Sequence, residues 1–208
     1  MFYFVKTPGW LQKLYRNAIW QIDSPRNVIY LSFDDGPHPL LTPFILDELK
    51  KYNAKASFFC VGSNVEQYPG IYKRILDEGH TTGNHTYDHL NGWKTNKADY
   101  VANIQKAGTL INGKLFRPPY GRIKRSQHKA LATLPGNFRV IMWSVLSGDF
   151  DPALTPGKCY RNVVDNAVSG SIIVFHDNDK AETKLRYCLP LVLKYFTDKG
   201  FVFEKITT

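Results

Sequence analysis

The chain has 208 residues, 43% of them apolar and 22% charged, with 27 Lys and Arg against 18 Asp and Glu. That much apolar side chain sustains one folded core and excludes a chain disordered along its length. Three cysteines exclude a disulfide scaffold, and no apolar run reaches the ~18 residues of a membrane-spanning helix. The net charge of +9 is scattered rather than gathered in blocks, so it reads as a solubility feature, and no nucleic acid is expected as partner.

Residues 1–26 read as an N-terminal segment whose short helix packs on the main domain. Thr7 is placed to cap it and Pro8 to open it, with Leu11, Leu14, Tyr15, Ala18 and Ile19 at helical spacing. Nothing there makes a clear signal peptide, which leaves localisation open between cytoplasm and cell envelope. From residue 27 short β-rich runs alternate with helical patterns. Strands are predicted at 28–33, 55–61, 80–83, 115–117, 138–145, 171–175 and 201–204. Helices are predicted from Thr42-Pro43, a cap and a first residue, and at 69–78, 97–111, 126–134, 160–168 and 182–198. Such alternation implies a single α/β domain with a parallel sheet, either open and doubly wound or closed as a barrel. Both architectures put their sites at the carboxyl ends of the strands. Cys60 lies in an apolar run and reads as a small buried hydrophobe, while pairing of Cys159 with Cys188 stays open.

Five strand-end segments carry chemistry. Asp34-Asp35-Gly36-Pro37 sets two carboxylates side by side at the end of an apolar strand, which a cation would stabilise; as an alternative it is a plain turn. His85 and His89, four apart, are spaced to meet on one face of a helical turn and share a metal ion. With Asp35 they make three ligands and an open position. In Arg117-Pro118-Pro119-Tyr120-Gly121 the prolines remove two donors, which leaves the Tyr120 and Gly121 N–H groups free for an oxyanion, and Arg117 can pair with a carboxylate. Asp149 is the candidate partner for His176, a histidine directly after an apolar strand and suited to general acid work.

In this order, over about residues 27–206, the segments resemble the polysaccharide deacetylases, carbohydrate esterase family four. The resemblance implies a distorted seven-stranded (β/α) barrel over 27–208. It implies a hydrolase that removes acetyl groups from N-acetylated sugars of a poly- or oligosaccharide by metal-activated water. Under it, Asp34 is the general base and His176 the general acid. Asp35, His85 and His89 hold a divalent cation, with Zn2+ expected first and Co2+, Ni2+ or Mn2+ as alternatives. Arg117 orients the base, Asp149 tethers His176, and the Tyr120 N–H binds the oxyanion. Phe150 and Val174 stand where the family has tryptophan and leucine and would line the acetyl pocket; Leu146 stands where it has aspartate. Competing readings are an O-acetyl ester or non-sugar amide hydrolase on the same scaffold, and a glycan-binding domain without catalysis. Oligomeric state is not legible.

Overall fold

The computed structural model of the protein describes residues 3–134 and 137–207. After a short α1 (Gly9–Leu14) the chain runs β1 (Val28–Asp34), α2 (Leu41–Lys51), β2 (Ala56–Cys60), α3 (Gly62–Gln67), α4 (Pro69–Asp77) and β3 (Thr81–Asn84). It continues through α5 (Lys97–Gly108), β4 (Leu115–Phe116), α6 (Arg125–Leu131), β5 (Arg139–Val140), β6 (Val145–Leu146), α7 (Pro156–Val164), β7 (Ile172–His176), α8 (Glu182–Asp198) and β8 (Val202–Phe203). Seven parallel strands curl in the order β5-β4-β3-β2-β1-β7-β6, and β8 adds to the start of β1. This is the distorted (β/α) barrel expected, and alternation with right-handed crossovers is what builds it.

Strand β1 shows how the pleat positions the site. All its residues are buried, as in a strand covered on both faces. Ile29, Leu31 and Phe33 face the helices and pack with Leu46 and Leu49 of α2 and Leu189 and Phe196 of α8. Phe33 stacks between Phe58 and Phe175, at 5.1 and 6.2 Å between ring centroids; truncating such a ring costs about 3–5 kcal/mol. Val28 and Tyr30 face inward with Phe59, Ile141 and Ile172. The same period of two carries Ser32 and Asp34 to the inside.

The barrel has a seam between β5 and β6, and the N-terminal segment occupies it. Ile19 N–H donates to Val140 O at 2.9 Å and Met142 N–H to Ile19 O at 2.7 Å. Thr7 N–H donates to Ser144 O at 2.9 Å and Leu146 N–H to Val5 O at 2.8 Å. The predicted helix is correspondingly shorter. Thr7 does not cap it, because its hydroxyl bonds Trp143 O, and the chain leaves helical geometry at Tyr15, so that Ile19 can pair with Ile141.

Other differences are local. The predicted strand 138–145 is two short strands, split where it lends carbonyls to a buried arginine described below. Helix α7 starts at Pro156, capped by Thr155, rather than at Tyr160. Helix α3 has few apolar residues and gave no periodic signal. All three cysteines are buried free thiols. Among the described residues no helix is long and apolar enough to cross a membrane.

Candidate active site

Arg117 follows β4 directly and lies fully buried inside the barrel. Its Nη1 donates to Asp34 Oδ1 at 2.6 Å and to Ser32 Oγ at 2.8 Å, while Nε and Nη2 donate to Ile141 O and Met142 O at 3.1 and 3.0 Å. The guanidinium lies over the Phe59 ring, 3.9 Å from its centroid. Burial lowers its pKa and the Asp34 carboxylate opposes that. Asp34 thus has one oxygen pinned, with its carboxylate at the wall of the cleft.

The chain turns at Asp35 through a left-handed φ of 85°. The turn is held by Asn64 Nδ2, which donates to Asp35 O, and by Gly36 N–H, which donates to Asp177 Oδ1 at 2.7 Å. A Cβ on Gly36 would sit 2.0 Å from Asp177 Oδ2, so only glycine passes there. Burial raises the Asp177 pKa to about 8, with the Asp35 charge adding and the Thr42 and Gly36 hydrogen bonds opposing.

His85 and His89 do not share a helical turn. Thr86 and His89 both have left-handed φ, 64° and 54°. Side chains replace the helical bonds: Asn84 Oδ1 accepts from Thr86 N–H, and Asn103 Oδ1 accepts from Tyr87 and Asp88 N–H. The loop nevertheless brings the two rings to 5.1 Å. His89 Nε2 is 3.0 Å and His85 Nε2 3.5 Å from Asp35 Oδ1, and one ligand atom from each of the three residues lies within 4.8 Å of the others.

This donor set fits a divalent cation. His85 Nδ1 sits 2.7 Å from Arg117 O, a carbonyl that can only accept, so Nδ1 carries the hydrogen and the Nε2 lone pair faces Asp35. Lone pairs and a carboxylate converging on one point repel unless protons or a cation stand between them. The Asp35 carboxyl shows the same pull: burial raises its pKa, and the His85 and His89 contacts outweigh that and hold it well below the usual range. Two imidazoles and a carboxylate with a side open to the cleft could hold a cation by three ligands and leave a further position open.

Across the cleft, His176 N–H donates to Asp149 Oδ2 at 2.7 Å and its Nδ1–H to Asp149 Oδ1 at 2.8 Å, which leaves Nε2 for the cleft. Burial lowers the His176 pKa, but the Asp149 charge and hydrogen bond, helped by Asp35 and Asp34, prevail and push it up to about 10. His176 and Asp34 are register partners on β7 and β1.

The cleft measures about 590 Å³. Asp34, Asp35, His85, His89 and His176 line its polar side; Trp143, Leu146, Phe150 and Val174 line its apolar side, and Tyr120 stands at the rim. Arg117 and Asp149 lie behind, each bonded to a lining residue. Gly121 N–H is not free, since it donates to Pro118 O at 2.9 Å. Tyr120 N–H makes no hydrogen bond among the described residues, and its residue has a left-handed φ of 61°. The ring of Phe150 meets His176 edge-on at 5.2 Å.

The family model described as polysaccharide deacetylase matches residues 21–137. The chain belongs to this family. A peptidoglycan-N-acetylglucosamine deacetylase of Bacillus cereus is 42% identical over 154 residues, 71% of this chain and 55% of that protein. Another protein of that name from the same organism is 32% identical over 203 residues, 90% of each. The chain therefore spans about half of the first relative and nearly all of the second. A crystal structure of the Bc1960 peptidoglycan N-acetylglucosamine deacetylase superposes with a TM-score of 0.85, at 33% identity over 94% of both chains.

Two further polar residues, which carry no chemical signal of their own in the sequence, hold the Asp35 turn. Asn178 Nδ2 donates to Asp35 Oδ2 at 2.6 Å, and Asp177 anchors Gly36. Their positions just after His176 were the available signal, but their partners lie about 140 residues away.

Proposed function

We propose that the chain hydrolyses the N-acetyl group of a sugar in a poly- or oligosaccharide, with peptidoglycan-type glycans first, as the names of the relatives suggest. The observation that supports it most is the convergence of Asp35, His85 and His89 beside Asp34 and His176. A divalent cation held by Asp35, His85 and His89, with Zn2+ the first choice for two nitrogens and an oxygen, would supply Lewis-acid polarisation of the carbonyl and acidify water. Asp34, oriented by Arg117, takes the proton from the attacking water. Tyr120 N–H donates to the acetyl oxygen as it gains charge. His176, held by Asp149, gives a proton from Nε2 to the departing amine. Products are acetate and the free amino sugar. Leu146, Phe150 and Val174 form the apolar wall against which the acetyl methyl rests.

The test measures acetate release from N-acetylated and O-acetylated glycans, with metal content determined on the same sample. Asp34→Asn and His176→Ala are expected to lose about 10²–10⁴ in turnover with metal retained, and His85→Ala to lose the metal. Full turnover after complete removal of metal would overturn the proposal. A His176→Ala variant still active on esters alone would point to O-acetyl hydrolysis, whose leaving group needs less acid assistance.

A further inference from the structure

The segment that fills the seam between β5 and β6 turns an apolar face outward. Val5 and Thr7 bond the sheet through their backbones, and the alternation of an extended chain turns Phe4 and Lys6 away from it. On α1, Leu11 packs against the core, whereas Trp10 and Leu14, four apart, share the outer face. Trp10 is 59%, Leu14 52% and Phe4 37% exposed, and the Phe4 and Trp10 rings meet edge-on at 6.2 Å. Three large apolar side chains thus form one exposed patch, the kind of surface that marks an interaction site.

The charges around the patch all have one sign. Lys6, Lys13 and Arg16 are exposed, and residues 3–22 hold no Asp or Glu. Elsewhere surface cations pair along their helices: Lys73 with Asp77, Arg161 with Asp165, Arg186 with Glu182 and Lys194 with Asp198. Among the described residues Lys6, Lys13 and Arg16 have no ion pair. Asp151, which meets the segment at Tyr3, is buried and accepts from the Tyr3 hydroxyl. Asp23 follows Gln21, which bridges Ser171 at the foot of β7, the end opposite the cleft.

A partner for this face must give apolar cover and negative charge together. A second copy of the chain gives the first but sets three cations against three. An anionic bilayer gives both, since tryptophan favours its interfacial layer and Lys and Arg its headgroups. We propose that the Phe4, Trp10 and Leu14 patch seats the protein on an anionic lipid surface. A cavity of about 170 Å³ joins this patch to the cleft. Phe4 and Leu11 line it on one side, and Gly121, Trp143 and Leu146, which also line the cleft, on the other. Docking therefore brings the cleft next to the headgroups. Seating needs no catalysis, so the inference stands apart from the deacetylase reading.

The test is cosedimentation of the full chain with vesicles of phosphatidylglycerol and, separately, of phosphatidylcholine. Binding to phosphatidylglycerol is expected to be tighter by about tenfold or more and to weaken as salt rises. Trp10→Ser with Leu14→Ser, and Lys13→Glu with Arg16→Glu, are each expected to weaken it by about tenfold or more. Unchanged urea midpoints show that these surface variants are folded. The comparison of the two lipids needs no variant, so a poorly folded one leaves the proposal open to refutation. Equal binding to both lipids, no binding to phosphatidylglycerol, or binding that survives in Trp10→Ser with Leu14→Ser overturns it. A dimer in gel filtration that Trp10→Ser dissociates assigns the patch to a second copy and overturns it too. So does retention on peptidoglycan sacculi, lost in Trp10→Ser with Leu14→Ser, by a chain that binds neither vesicle.

Discussion

On one side of the cleft Asp34 is fixed by a buried guanidinium that also grips two backbone carbonyls; on the other, His176 is fixed by a carboxylate that takes both its backbone N–H and its Nδ1–H. Both pairs are shielded from water, but they differ in what happens when a partner is lost. Arginine cannot shed its proton inside a protein, whereas histidine can. The Asp34 side is therefore locked by a permanent charge, and the His176 side by one that adjusts.

The largest effects should separate the two sides. Arg117→Ala leaves Asp34 charged and buried, and Asp34→Asn leaves Arg117 so; each is expected to lose about 3–5 kcal/mol of stability in urea titrations as well as turnover. A loss below about 1 kcal/mol would contradict the locked Asp34–Arg117 side. Asp149→Asn should cost less stability, about 1–2 kcal/mol, because His176 can become neutral, while turnover still falls about 10²-fold or more.

The pH dependence sharpens the same contrast. A general acid must be protonated, and Asp149 raises the His176 pKa to about 10. Its loss lets burial dominate and moves that pKa downward, so the alkaline limb of the rate profile shifts to lower pH. An unmoved limb in Asp149→Asn would break the assignment of His176 as acid. Loading a divalent cation offsets the Asp35 charge that helps to raise His176, so imidazole NMR signals should titrate at lower pH in the loaded protein than in the stripped one. The smallest effect is expected for Phe150→Trp, which enlarges the apolar wall beside His176. It should change the preference between acetyl and larger acyl groups by less than about tenfold, read from parallel assays.

Much of this site was legible because it follows from short-range rules. The apolar run 28–33 ends at the aspartates, and the period of two in a strand turns Asp34 inward. The parallel sheet then gathers every strand-end motif at one rim. What escaped depends on partners distant in the chain. Histidines four apart suggested a helical turn, but Asn103 draws the loop into another path. Thr42-Pro43 and Thr155-Pro156 carry the same capping signal. Thr155 caps α7, whereas the Thr42 hydroxyl bonds Asp177 and α2 begins two residues before Pro43, at Leu41. Gly121 N–H looked free until the tight turn at Pro119–Gly121 used it. Nothing in residues 1–26 announces a role in the sheet, because single bridging residues leave no periodic trace.

That bridging has a practical consequence. Residues 27–208 look like a self-sufficient enzyme, and a shortened protein would be the natural choice for expression. Cutting away the first 26 residues would strip Val140, Met142, Ser144 and Leu146 of their backbone partners. It would turn a sealed wall into two raw sheet margins, open to pairing with other chains. Such a protein would meet its first difficulty in the test tube as precipitation, before catalysis could be measured at all.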